Sequence, residues 1–522
     1  MSKIINSLLF FIIILSVIFT NNIPTYLESI IDHKNNNIKI NVWIYFEDKG
    51  KININNEIQK LTLKANQDQI KRRLKVRNEL FDFRDIPLHQ PYINKLLKNS
   101  EIILRTESKW LNAISINIPL YLINIISQND FIKKIEIVKS GKRKESLTVK
   151  NNPKPSRNNY GLSYNQLEQI NVIEAHEKGY KGQGVKILIL DTGFYTDHES
   201  INEEKILDEW DFINNDGETQ NENDDDNDQH NHGTYILSVI GGEKEDQLYG
   251  PAYEANFFLA KTEDLTQEQP IEEDWFIAGL EWGESLGADI SSSSLGYIDW
   301  YDWEDLDGQT AVTTLGINIA TENGMICVTS AGNSGTDGIS APADAYEVIS
   351  VGAVDLNGDL AWFSSRGPTA DGRIKPEVCA QGYDTYCAVP SNNQYGYASG
   401  TSLSCPLVSG VCAIILSARP EWSSDMVRTS LLNSANNANN PNNEYGWGII
   451  DAMAAIHYYD GNGDITYDGV LNITDLIYII NIILEEEGIE ELSEGEFEII
   501  DGNDDQIINI LDLIYFLNII IN

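Results

Sequence analysis

Short, uninterrupted apolar runs place the strongest constraint on how this chain can fold. The runs "VKILIL" (185–190), "MICVTSAG" (325–332) and "VISVGAV" (348–354) alternate with helical patterns from about residue 161 onward. Continuous β-branched runs are typical of strands covered on both faces, as in parallel sheets flanked by helices. The pattern therefore predicts an α/β fold with a doubly wound, mostly parallel sheet. Its ligand sites should lie at the carboxyl ends of the strands.

An apolar segment lies at the start of the sequence. Residues 4–19, "IINSLLFFIIILSVIF", follow a single Lys3, which is typical of a secretory signal peptide over residues 1–20. We therefore expect a secreted, extracellular protein. No A-x-A cleavage site follows this run, so an uncleaved anchor and association with the cell surface stay open as the alternative.

The segment that follows has the pattern of a small α+β unit. Its strand-like and helical stretches are, in chain order, 38–46, 57–80, 101–106, 110–117 and 131–140. Between Ser140 and Tyr160 the chain is polar and basic and contains prolines, which is typical of an exposed, cleavable linker. The sequence therefore predicts a separate N-terminal domain with its linker over residues 21–158.

The charge of the chain is strongly asymmetric. The formal net charge is −42, yet residues 1–160 are basic overall, so the rest of the chain carries the acidic excess. An acidic surface repels phosphate backbones, and we expect no nucleic-acid partner. The same acidity favours calcium binding and attraction of the basic front domain, while simple solvation accounts for most of the carboxylates.

The cysteine content excludes a disulfide framework, because five cysteines are too few and odd in number. Cys379 and Cys387 could form one disulfide in an exported protein, and this pairing stays open. Cys405 and Cys412 lie on one helical pattern and are expected to be buried free thiols.

Four chemically useful residues stand where strands end or helices begin. Asp191 follows a buried strand in "LDTGF", and Asn333 closes the strand "MICVTSAGN". His232 and Ser402 open apolar helices in "HNHGTYILSVIGG" and "SGTSLSCPLVSG", the second with Pro406 predicted in its first turn. In a parallel α/β layer these positions form one rim. We therefore expect the four side chains to meet in space.

These residue types are the ones that nucleophilic acyl transfer requires. A serine hydroxyl is a weak nucleophile until an imidazole accepts its proton, and a carboxylate must orient and stabilise that imidazole. The amide of Asn333 and the backbone N–H of Ser402 could bind the oxyanion. The alternative for Ser402 is an ordinary helix N-cap. His230 is rejected as the base, because it lacks the Gly-Thr pair that follows His232.

The order Asp–His–Ser and the motifs "ILDTG", "HGT", "SAGN" and "GTSLSCP" resemble those of the subtilisin-like serine proteases. The similarity runs from about residue 166 to 459 and includes "VISVGAV", "FSSRGP", "RIKPEV" and "YGWGIIDAMAAI". It implies a serine endopeptidase acting on protein and peptide substrates, with a peptidase domain over residues 159–459.

The resemblance also implies a role for each of the four residues. Asp191 orients the base, His232 is the general base and acid, Ser402 is the nucleophile, and Asn333 is the oxyanion donor. The sequence departs from the family pattern at Tyr235, where histidine is common, and just after the nucleophile, at Leu403, Ser404 and Cys405.

The stretch "SSSLGY" (292–297) resembles the family's edge strand, on which a substrate peptide pairs through its backbone. The resemblance implies broad, apolar-leaning specificity, while a buried strand with a terminal glycine is the alternative. The candidate substrate-binding residues are Ser294, Leu295, Gly296, Ala331 and Gly332.

The basic front domain resembles the propeptide of this family. That resemblance implies an intramolecular chaperone and inhibitor that is removed by self-cleavage between Ser140 and Tyr160. Its charge complements that of the acidic peptidase domain, which is an independent reason to expect docking. An unrelated N-terminal domain is the alternative.

The end of the chain contains an internal repeat, residues 464–484 and 501–521. Oxygen-bearing residues fall at loop positions 1, 3, 5, 7, 9 and 12, the spacing of calcium-binding loops. In the second copy Gln506 stands at position 6, where glycine is expected. The candidate ligands are Asp464, Thr466, Asp468, Val470, Asn472 and Asp475, and then Asp501, Asn503, Asp505, Ile507, Asn509 and Asp512.

One apolar helix follows each loop, and position 12 is Asp in both copies, so residues 460–522 resemble a small α-helical dockerin type I module. The resemblance implies two Ca²⁺ ions and a cohesin-like partner on a scaffold or cell surface. Acidic low-complexity sequence is the alternative. Further calcium in the acidic run "NENDDDND" (221–228) is weighed against a solvated loop. We expect no organic cofactor.

Two other functions stay in view. "DTG" is also the signature of aspartic proteases, but a bilobal enzyme of that class needs a second such triplet, and the chain has none. The other is a catalytically inactive binding protein with a protease fold. The complete set of Asp191, His232, Asn333 and Ser402 argues against it.

Overall fold

The computed structural model describes residues 23–24, 27, 38–138, 150–151, 159–223, 225–265, 271–298, 301–391, 393–466, 470–484, 489, 492 and 494–521. The predicted signal peptide and most of the predicted linker lie outside the described residues. The chain divides into two compact units. The first comprises Met1–Leu61 and Phe81–Lys139, and the second comprises Thr62–Leu80 and Ser140–Asn522.

The first unit contains a four-stranded antiparallel sheet. Its strands are β1 (Lys39–Phe46), β2 (Ile103–Ser108), β3 (Ala113–Pro119) and β4 (Ile132–Ile137), in the order β2-β3-β1-β4. Helix α1 (Ile54–Lys64) begins in this unit, α2 (Gln67–Leu74) lies in the second unit, and α3 (Gln90–Leu96) and α4 (Leu120–Ile126) return to the first. The predicted α+β pattern is confirmed, although the stretch 57–80 forms two helices and not one.

The second unit is built on a seven-stranded sheet in which every neighbouring pair is parallel. Its strands are β6 (Lys186–Asp191), β7 (Ile206–Asp211), β10 (Asn256–Lys261), β11 (Ile290–Ser293), β12 (Ile326–Ser330), β13 (Ile349–Val354) and β14 (Val378–Gln381). The order is β14-β13-β12-β11-β6-β10-β7. The predicted parallel sheet is therefore confirmed.

The remaining described strands form two small sheets. They contain β5 (Lys150–Asn151), β8 (Glu243–Lys244), β9 (Leu248–Tyr249), β15 (Thr385–Val389) and β16 (Gln394–Ala398). Strand β8 pairs with β9, and β16 lies between β15 and β5. The backbone of Lys150 and Asn151 is antiparallel to that of Tyr397 and Gly396, so a piece of the linker forms the third strand of this sheet.

The helices of the second unit after α2 connect and cover these sheets. They are α5 (Tyr164–Glu168), α6 (Val172–Glu177), α7 (Asn231–Gly241), α8 (Ile271–Leu286), α9 (Val312–Glu322), α10 (Thr401–Ala418), α11 (Ser424–Asn433), α12 (Ala452–Ile456), α13 (Ile473–Leu484), α14 (Glu494–Ile500) and α15 (Ile510–Ile521).

The packing of β6 on both faces explains why its sequence is apolar. Ile187 and Ile189 belong to the same buried cluster as the apolar residues of α7 and α10. Leu188 lies on the opposite side of the strand, because successive residues point to opposite faces, and it packs against Gly283 of α8. Helices thus cover both faces of the sheet, as predicted.

Helix α10 is the one described helix that is long and apolar enough to cross a membrane. Most of it is buried, and residues such as Val408 and Ile414 belong to the main core. Because it is buried, this helix is a core helix of the second unit, although its length and composition would also fit a membrane span.

The cysteines do not pair. Cys379 and Cys387 are both free and buried, and their thiols contact different carbonyl oxygens, those of Tyr445 and Gly396. The disulfide considered from sequence is therefore wrong. Cys405 and Cys412 are buried free thiols, as predicted, and burial raises the pKa of Cys405 to about 12.

The tail consists of α13, α14 and α15. Leu476 and Ile479 of α13 and Phe516 of α15 are buried in the cluster that these helices share with the core around the seven-stranded sheet. Arg419, at the end of α10, pairs with Asp460 at 2.9 Å and with Glu498 of α14 at 2.5 Å. Apolar and ionic contacts thus hold the tail against the rest of the second unit.

Candidate active site

The carboxyl end of β6 brings the first two candidate residues together. Asp191 is the last residue of that strand, and His232 is the second residue of α7. Nδ1 of His232 lies 2.7 Å from Oδ1 of Asp191, within hydrogen-bond distance. The same carboxylate oxygen accepts a hydrogen bond from the backbone N–H of Thr192 at 2.7 Å. Asp191 is completely buried, so its position is fixed by these donors.

This contact decides which imidazole nitrogen is available for chemistry. With Nδ1 of His232 bonded to Asp191, the ring presents Nε2 on its other side. A carboxylate in this position holds one tautomer of the ring and stabilises its protonated form. The pair is therefore suited to accept a proton at Nε2 and to return it.

Ser402 is the second residue of α10, and the N-cap of this helix is Gly400. The N-cap alternative for Ser402 is therefore wrong. Pro406 lies inside the helix and not in its first turn, which corrects the sequence prediction. Because proline has no N–H, the carbonyl oxygen of Ser402 lacks its helical partner. The hydroxyl of Ser294 donates to that oxygen at 2.9 Å instead.

The hydroxyl of Ser402 is turned toward the same neighbour. Its Oγ donates to the carbonyl oxygen of Ser294 at 3.2 Å. Within the described residues, no hydrogen bond joins this hydroxyl to His232. The structure therefore has the Asp–His contact formed and the Ser402 hydroxyl bonded to Ser294.

Asn333 lies just past β12 with its amide orientation fixed. Its Oδ1 accepts hydrogen bonds from the backbone N–H of Thr401 at 2.9 Å and from the Thr401 hydroxyl at 3.0 Å. The Nδ2 group is therefore left to donate. The backbone N–H of Ser402 is also available, because the first N–H groups of a helix have no intrahelical acceptor. Two donors suited to an oxyanion thus flank the nucleophile.

The candidate substrate residues lie at the same rim. Strand β11 ends at Ser293 in the interior of the sheet, between β12 and β6, so residues 292–293 are not at a sheet edge, and substrate pairing along residues 294–297 stays a prediction. Ser294, Leu295 and Gly296 continue past the strand end, and Gly296 is exposed while Leu295 is buried. Ala331 is buried, and Gly332 is half-buried beside Asn333.

Ser340 was not predicted from sequence, yet it lies between the two glycines of this region. A Cβ atom on Gly296 would lie 2.3 Å from the Ser340 Oγ, and one on Gly332 would lie 3.0 Å from it. Its hydroxyl therefore adds a polar group to a region predicted to be apolar. No local sequence signal marks this serine, because its position depends on a contact between distant loops.

Lys261 is a second residue that sequence reasoning missed. It ends β10, next to Asp191 in the parallel register, and its side chain is completely buried. Its ammonium lies 2.7 Å from Asp211 Oδ2 and 2.8 Å from Asp225 Oδ2. Burial disfavours the charge, but these hydrogen bonds outweigh burial and raise the pKa of Lys261. The acidic loop before His232 is thus partly neutralised by a lysine.

His230 is placed away from the carboxylate of Asp191. Its Nδ1 accepts a hydrogen bond from the backbone N–H of Asn221 at 3.1 Å, and its ring lies against Tyr195. Burial lowers the pKa of His230. Its rejection as the base is consistent with these contacts.

The two tail loops share one internal arrangement. In the first, the carboxylate of Asp475 at position 12 accepts from the N–H groups of Thr466 and Asn472 at 3.0 and 2.8 Å. In the second, Asp512 accepts from the N–H groups of Asn503 and Asn509 at 3.4 and 2.9 Å. Position 12 thus binds the backbone of positions 3 and 9 in both loops.

The remaining candidate ligands lie in the same loops. Asp464 and Asp501 are buried at position 1, and Asp505 at position 5 accepts from the N–H of Ile507 at 2.9 Å. Gln506 has φ +61°, the left-handed conformation that glycine favours, so the strain predicted at position 6 is present. The carbonyl oxygens of Val470 and Ile507 accept from the side chains of Asn472 and Asn509 at 2.9 Å. Asp468 lies outside the described residues.

Comparisons with known proteins agree with this geometry. Residues 182–448 match the subtilase family model, and residues 41–154 match the model of the peptidase S8 propeptide domain of Bacteroidota. The M-protease of Shouchella clausii (strain KSM-K16) is 30% identical over 290 residues, 55% of this chain and 68% of that protein. Subtilisin Savinase of Lederbergia lenta is 29% identical over 290 residues, 55% of this chain and 97% of that protein.

A third relative gives the same result. Subtilisin E of Bacillus subtilis (strain 168) is 30% identical over 301 residues, which is 57% of this chain and 70% of that protein. The family model covers the sheet and the helices that carry Asp191, His232, Asn333 and Ser402, and the propeptide model covers most of the first unit. The chain therefore belongs to the subtilase family and is a serine-type endopeptidase with an N-terminal propeptide.

Proposed function

We propose that this chain is the zymogen of a secreted endopeptidase that uses Asp191, His232 and Ser402 as its catalytic triad and Asn333 as its oxyanion donor. The observation that carries the proposal is the 2.7 Å contact between His232 Nδ1 and Asp191 Oδ1, at the sheet edge where Ser402 begins its helix. The family models match residues 182–448 and 41–154, so the proposed secretion rests on the apolar segment at residues 4–19.

The chemistry follows from the positions of the atoms. Oγ of Ser402 leaves the Ser294 carbonyl and attacks the carbonyl carbon of the scissile peptide bond, while Nε2 of His232 takes its proton. The resulting oxyanion accepts hydrogen bonds from Nδ2 of Asn333 and the N–H of Ser402. His232 then protonates the leaving amine. Water takes the place of the amine and attacks the acyl-enzyme while His232 takes its proton, and His232 returns that proton to Oγ of Ser402 as the acid product leaves. Asp191 stays ionised and stabilises the imidazolium.

Inhibitor selectivity separates this mechanism from the other functions. We expect a serine-directed fluorophosphonate to abolish casein hydrolysis and to add its mass to the peptide that contains Ser402. Pepstatin should have no effect, because an aspartic protease mechanism would need a second catalytic carboxylate in place of His232. Inhibition by pepstatin, or a chain that neither hydrolyses casein nor reacts with the fluorophosphonate, would contradict the proposal.

The zymogen part of the proposal concerns residues 21–158. We infer that this segment inhibits the peptidase and assists its folding, and that self-cleavage between Ser140 and Tyr160 produces the mature enzyme. The basic charge of the segment and the acidic charge of the rest support docking. Intact mass spectrometry of the secreted protein would give the position of the cleaved bond directly.

We infer that the tail holds two Ca²⁺ ions in its repeated loops. The donor set fits a hard cation, because each loop buries two carboxylates, those of Asp464 and Asp475 in one and of Asp501 and Asp512 in the other. When bound, Ca²⁺ would supply positive charge to these carboxylates and order the loops. Asn472 and Asn509 offer further oxygens. Further calcium in the acidic run 221–228 stays a prediction: Glu222 of this run lies near Asp216 and Asp211, with oxygens within 4.8 Å of one another, and Asp211 already pairs with Lys261.

Removal of calcium should therefore loosen the tail before the peptidase domain. We expect a chelator to direct limited chymotrypsin cleavage of a full-length Ser402→Ala variant to residues 457–522, because uncompensated buried carboxylates repel one another. Restored calcium should suppress that cleavage. An identical cleavage pattern with chelator and with calcium would contradict the calcium assignment.

We propose that the tail attaches the enzyme to a partner. Its helices α13 and α15 expose large apolar side chains at repeated positions, including Ile473 and Ile477 in one and Ile510 and Ile514 in the other. Such a surface fits a protein partner, and the resemblance of the repeat to dockerins favours a cohesin-like one. Binding of the full-length protein to an immobilised cohesin, dependent on calcium, is the test.

A further inference from the structure

Helix α2 lies within the propeptide match but packs in the peptidase unit. Its side chains Arg72 and Arg73 are almost completely buried, and both contact Glu284 of α8, which is also completely buried. Nε of Arg73 lies 2.9 Å from one carboxylate oxygen of Glu284, and its Nη2 lies 3.0 Å from the other. This two-point pairing is the strongest geometry between arginine and a carboxylate.

Arg72 lies where two helices of the peptidase end. Its guanidinium donates to the backbone carbonyl oxygens of Glu284 at 3.3 Å and Asn323 at 3.2 Å, and also to that of Ala288. Helix α8 ends at Leu286 and α9 at Glu322, and neither has a basic residue in its last turn. Helix carboxyl ends carry partial negative charge and unpaired carbonyl groups. The propeptide thus supplies a cation that both helices lack.

The peptidase surface is shaped for this segment. Gly287 and Gly324 follow α8 and α9 with φ values of +87° and +85°. A Cβ atom on Gly287 would lie 2.9 Å from the Cβ of Asp68, and one on Gly324 would lie 3.0 Å from Val76 Cγ2. A side chain at either glycine would therefore push the propeptide segment outward.

Additional polar contacts extend along the segment. Asn66 Nδ2 donates to the Leu286 carbonyl oxygen at 3.0 Å, and Gln69 Nε2 donates to Glu284 Oε2 at 2.9 Å. The ammonium of Lys75 donates to the carbonyl oxygen of Pro420 at 2.6 Å. Hydrogen bonds thus hold the segment from Asn66 to Lys75 against the peptidase.

This contact lies at the amino ends of the sheet strands, whereas the candidate catalytic residues lie at their carboxyl ends. The ammonium of Lys186, the first residue of β6, pairs with Asp68 of α2, whereas Asp191, the last residue of the same strand, holds His232. A strand of this length spans about 17 Å. The arginines therefore do not imitate a substrate in the active site.

We propose that the notch formed by Glu284 and the carboxyl ends of α8 and α9 is a docking site through which the mature peptidase retains its cleaved propeptide by Arg72 and Arg73. This inference rests on the proposed self-cleavage between Ser140 and Tyr160. After that cleavage the segment 62–80 has no covalent link to the peptidase. Its release then requires a buried ion pair to separate, and loss of one partner of such a pair strongly weakens an interface.

The experiment follows the full-length chain as it processes itself. Native mass spectrometry gives the fraction of cut chain that still holds its propeptide, and hydrolysis of a small peptide anilide gives the rate at which activity appears. An Arg72→Gln, Arg73→Gln double variant is compared with Lys71→Gln, whose side chain on the same helix is 76% exposed. The freed peptidase has the same sequence in every case.

We expect the double variant to release its propeptide on the order of 10²-fold faster than the wild type, and Lys71→Gln to match the wild type. Equal release from all three chains would overturn the docking site while leaving the proposed protease intact. If the wild-type chain is never cut, the proposed zymogen fails, and the inference fails with it.

The propeptide also assists folding in the proposed function, so the double variant could give no processed protein. Arg73→Lys is then the substitute, because it keeps the charge and loses the two-point contact. We expect faster release from Arg73→Lys than from Lys71→Arg. The same rate from both variants would overturn the proposal.

Discussion

Replacement of Ser402 by alanine should abolish peptide hydrolysis and leave the chain as the uncut zymogen. The hydroxyl is the only atom that the substitution removes, and in the proposed mechanism it is the atom that attacks the peptide bond. The corresponding loss of kcat in subtilisin, a relative of this chain, is on the order of 10⁶, a value taken from that enzyme and not obtained from this structure. Casein hydrolysis and the intact mass of the purified Ser402→Ala protein are the measurements.

The matched control is Ser417→Ala at the far end of the same helix, where the hydroxyl donates to the carbonyl oxygen of Ile414 at 2.7 Å and accepts from the backbone N–H of Gly182 at 3.4 Å. This variant should process itself and hydrolyse casein as the wild type does. A purified Ser402→Ala protein that still shows the mature mass would contradict self-cleavage. Undiminished casein hydrolysis by that variant would contradict the nucleophile assignment.

Replacement of Asn333 should lower kcat far more than it changes KM. The amide donates to charge that develops only in the transition state, so its loss leaves ground-state binding almost unchanged. Removal of the equivalent donor in subtilisin costs on the order of 10²–10³ in kcat, and we expect a loss of the same order here. Steady-state kinetics with a peptide anilide would measure both constants.

Two variants at this position separate donation from structure. Asn333→Ala removes both the donor and the acceptor that holds Thr401. Asn333→Asp keeps oxygens that can accept from Thr401 but replaces the Nδ2 donor with a negatively charged oxygen that repels the oxyanion, so it should be at least as slow as alanine. Asn357→Ala, in an exposed loop, is the control. Near wild-type kcat for the aspartate variant would contradict the oxyanion role.

The sequence was sufficient to predict the candidate catalytic groups, because each stands beside a strong local signal. Asp191 ends an apolar strand and His232 precedes a Gly-Thr helix start, and a parallel sheet brings such positions to one edge. The sequence could not supply the rotamer of Ser402. That rotamer depends on Ser294, which fills the hydrogen-bonding role that Pro406 leaves vacant, and the two serines lie more than a hundred residues apart.

Contacts between distant charged groups were also beyond sequence reasoning. Nothing in the sequence marks Lys261, yet it pairs with Asp211 at the end of β7 and with Asp225 of the acidic loop that leads to His232. Nothing in the predicted helical stretch 57–80 marks Arg72 and Arg73 as buried, yet both lie against Glu284. Charge composition predicted attraction between the basic and acidic parts of the chain. It could not identify which pair is desolvated, since that depends on packing.

The side of β5 on which the proposed cleavage falls determines whether the mature enzyme keeps this strand. Lys150 and Asn151 pair with β16, whose last residue, Ala398, stands four positions before the nucleophile. A cut on the amino-terminal side of Lys150 lets the new N-terminus remain as the border strand beside the catalytic helix. A cut beyond Asn151 removes that border and leaves the backbone of Gly396 and Tyr397 open to any extended peptide that can pair with it.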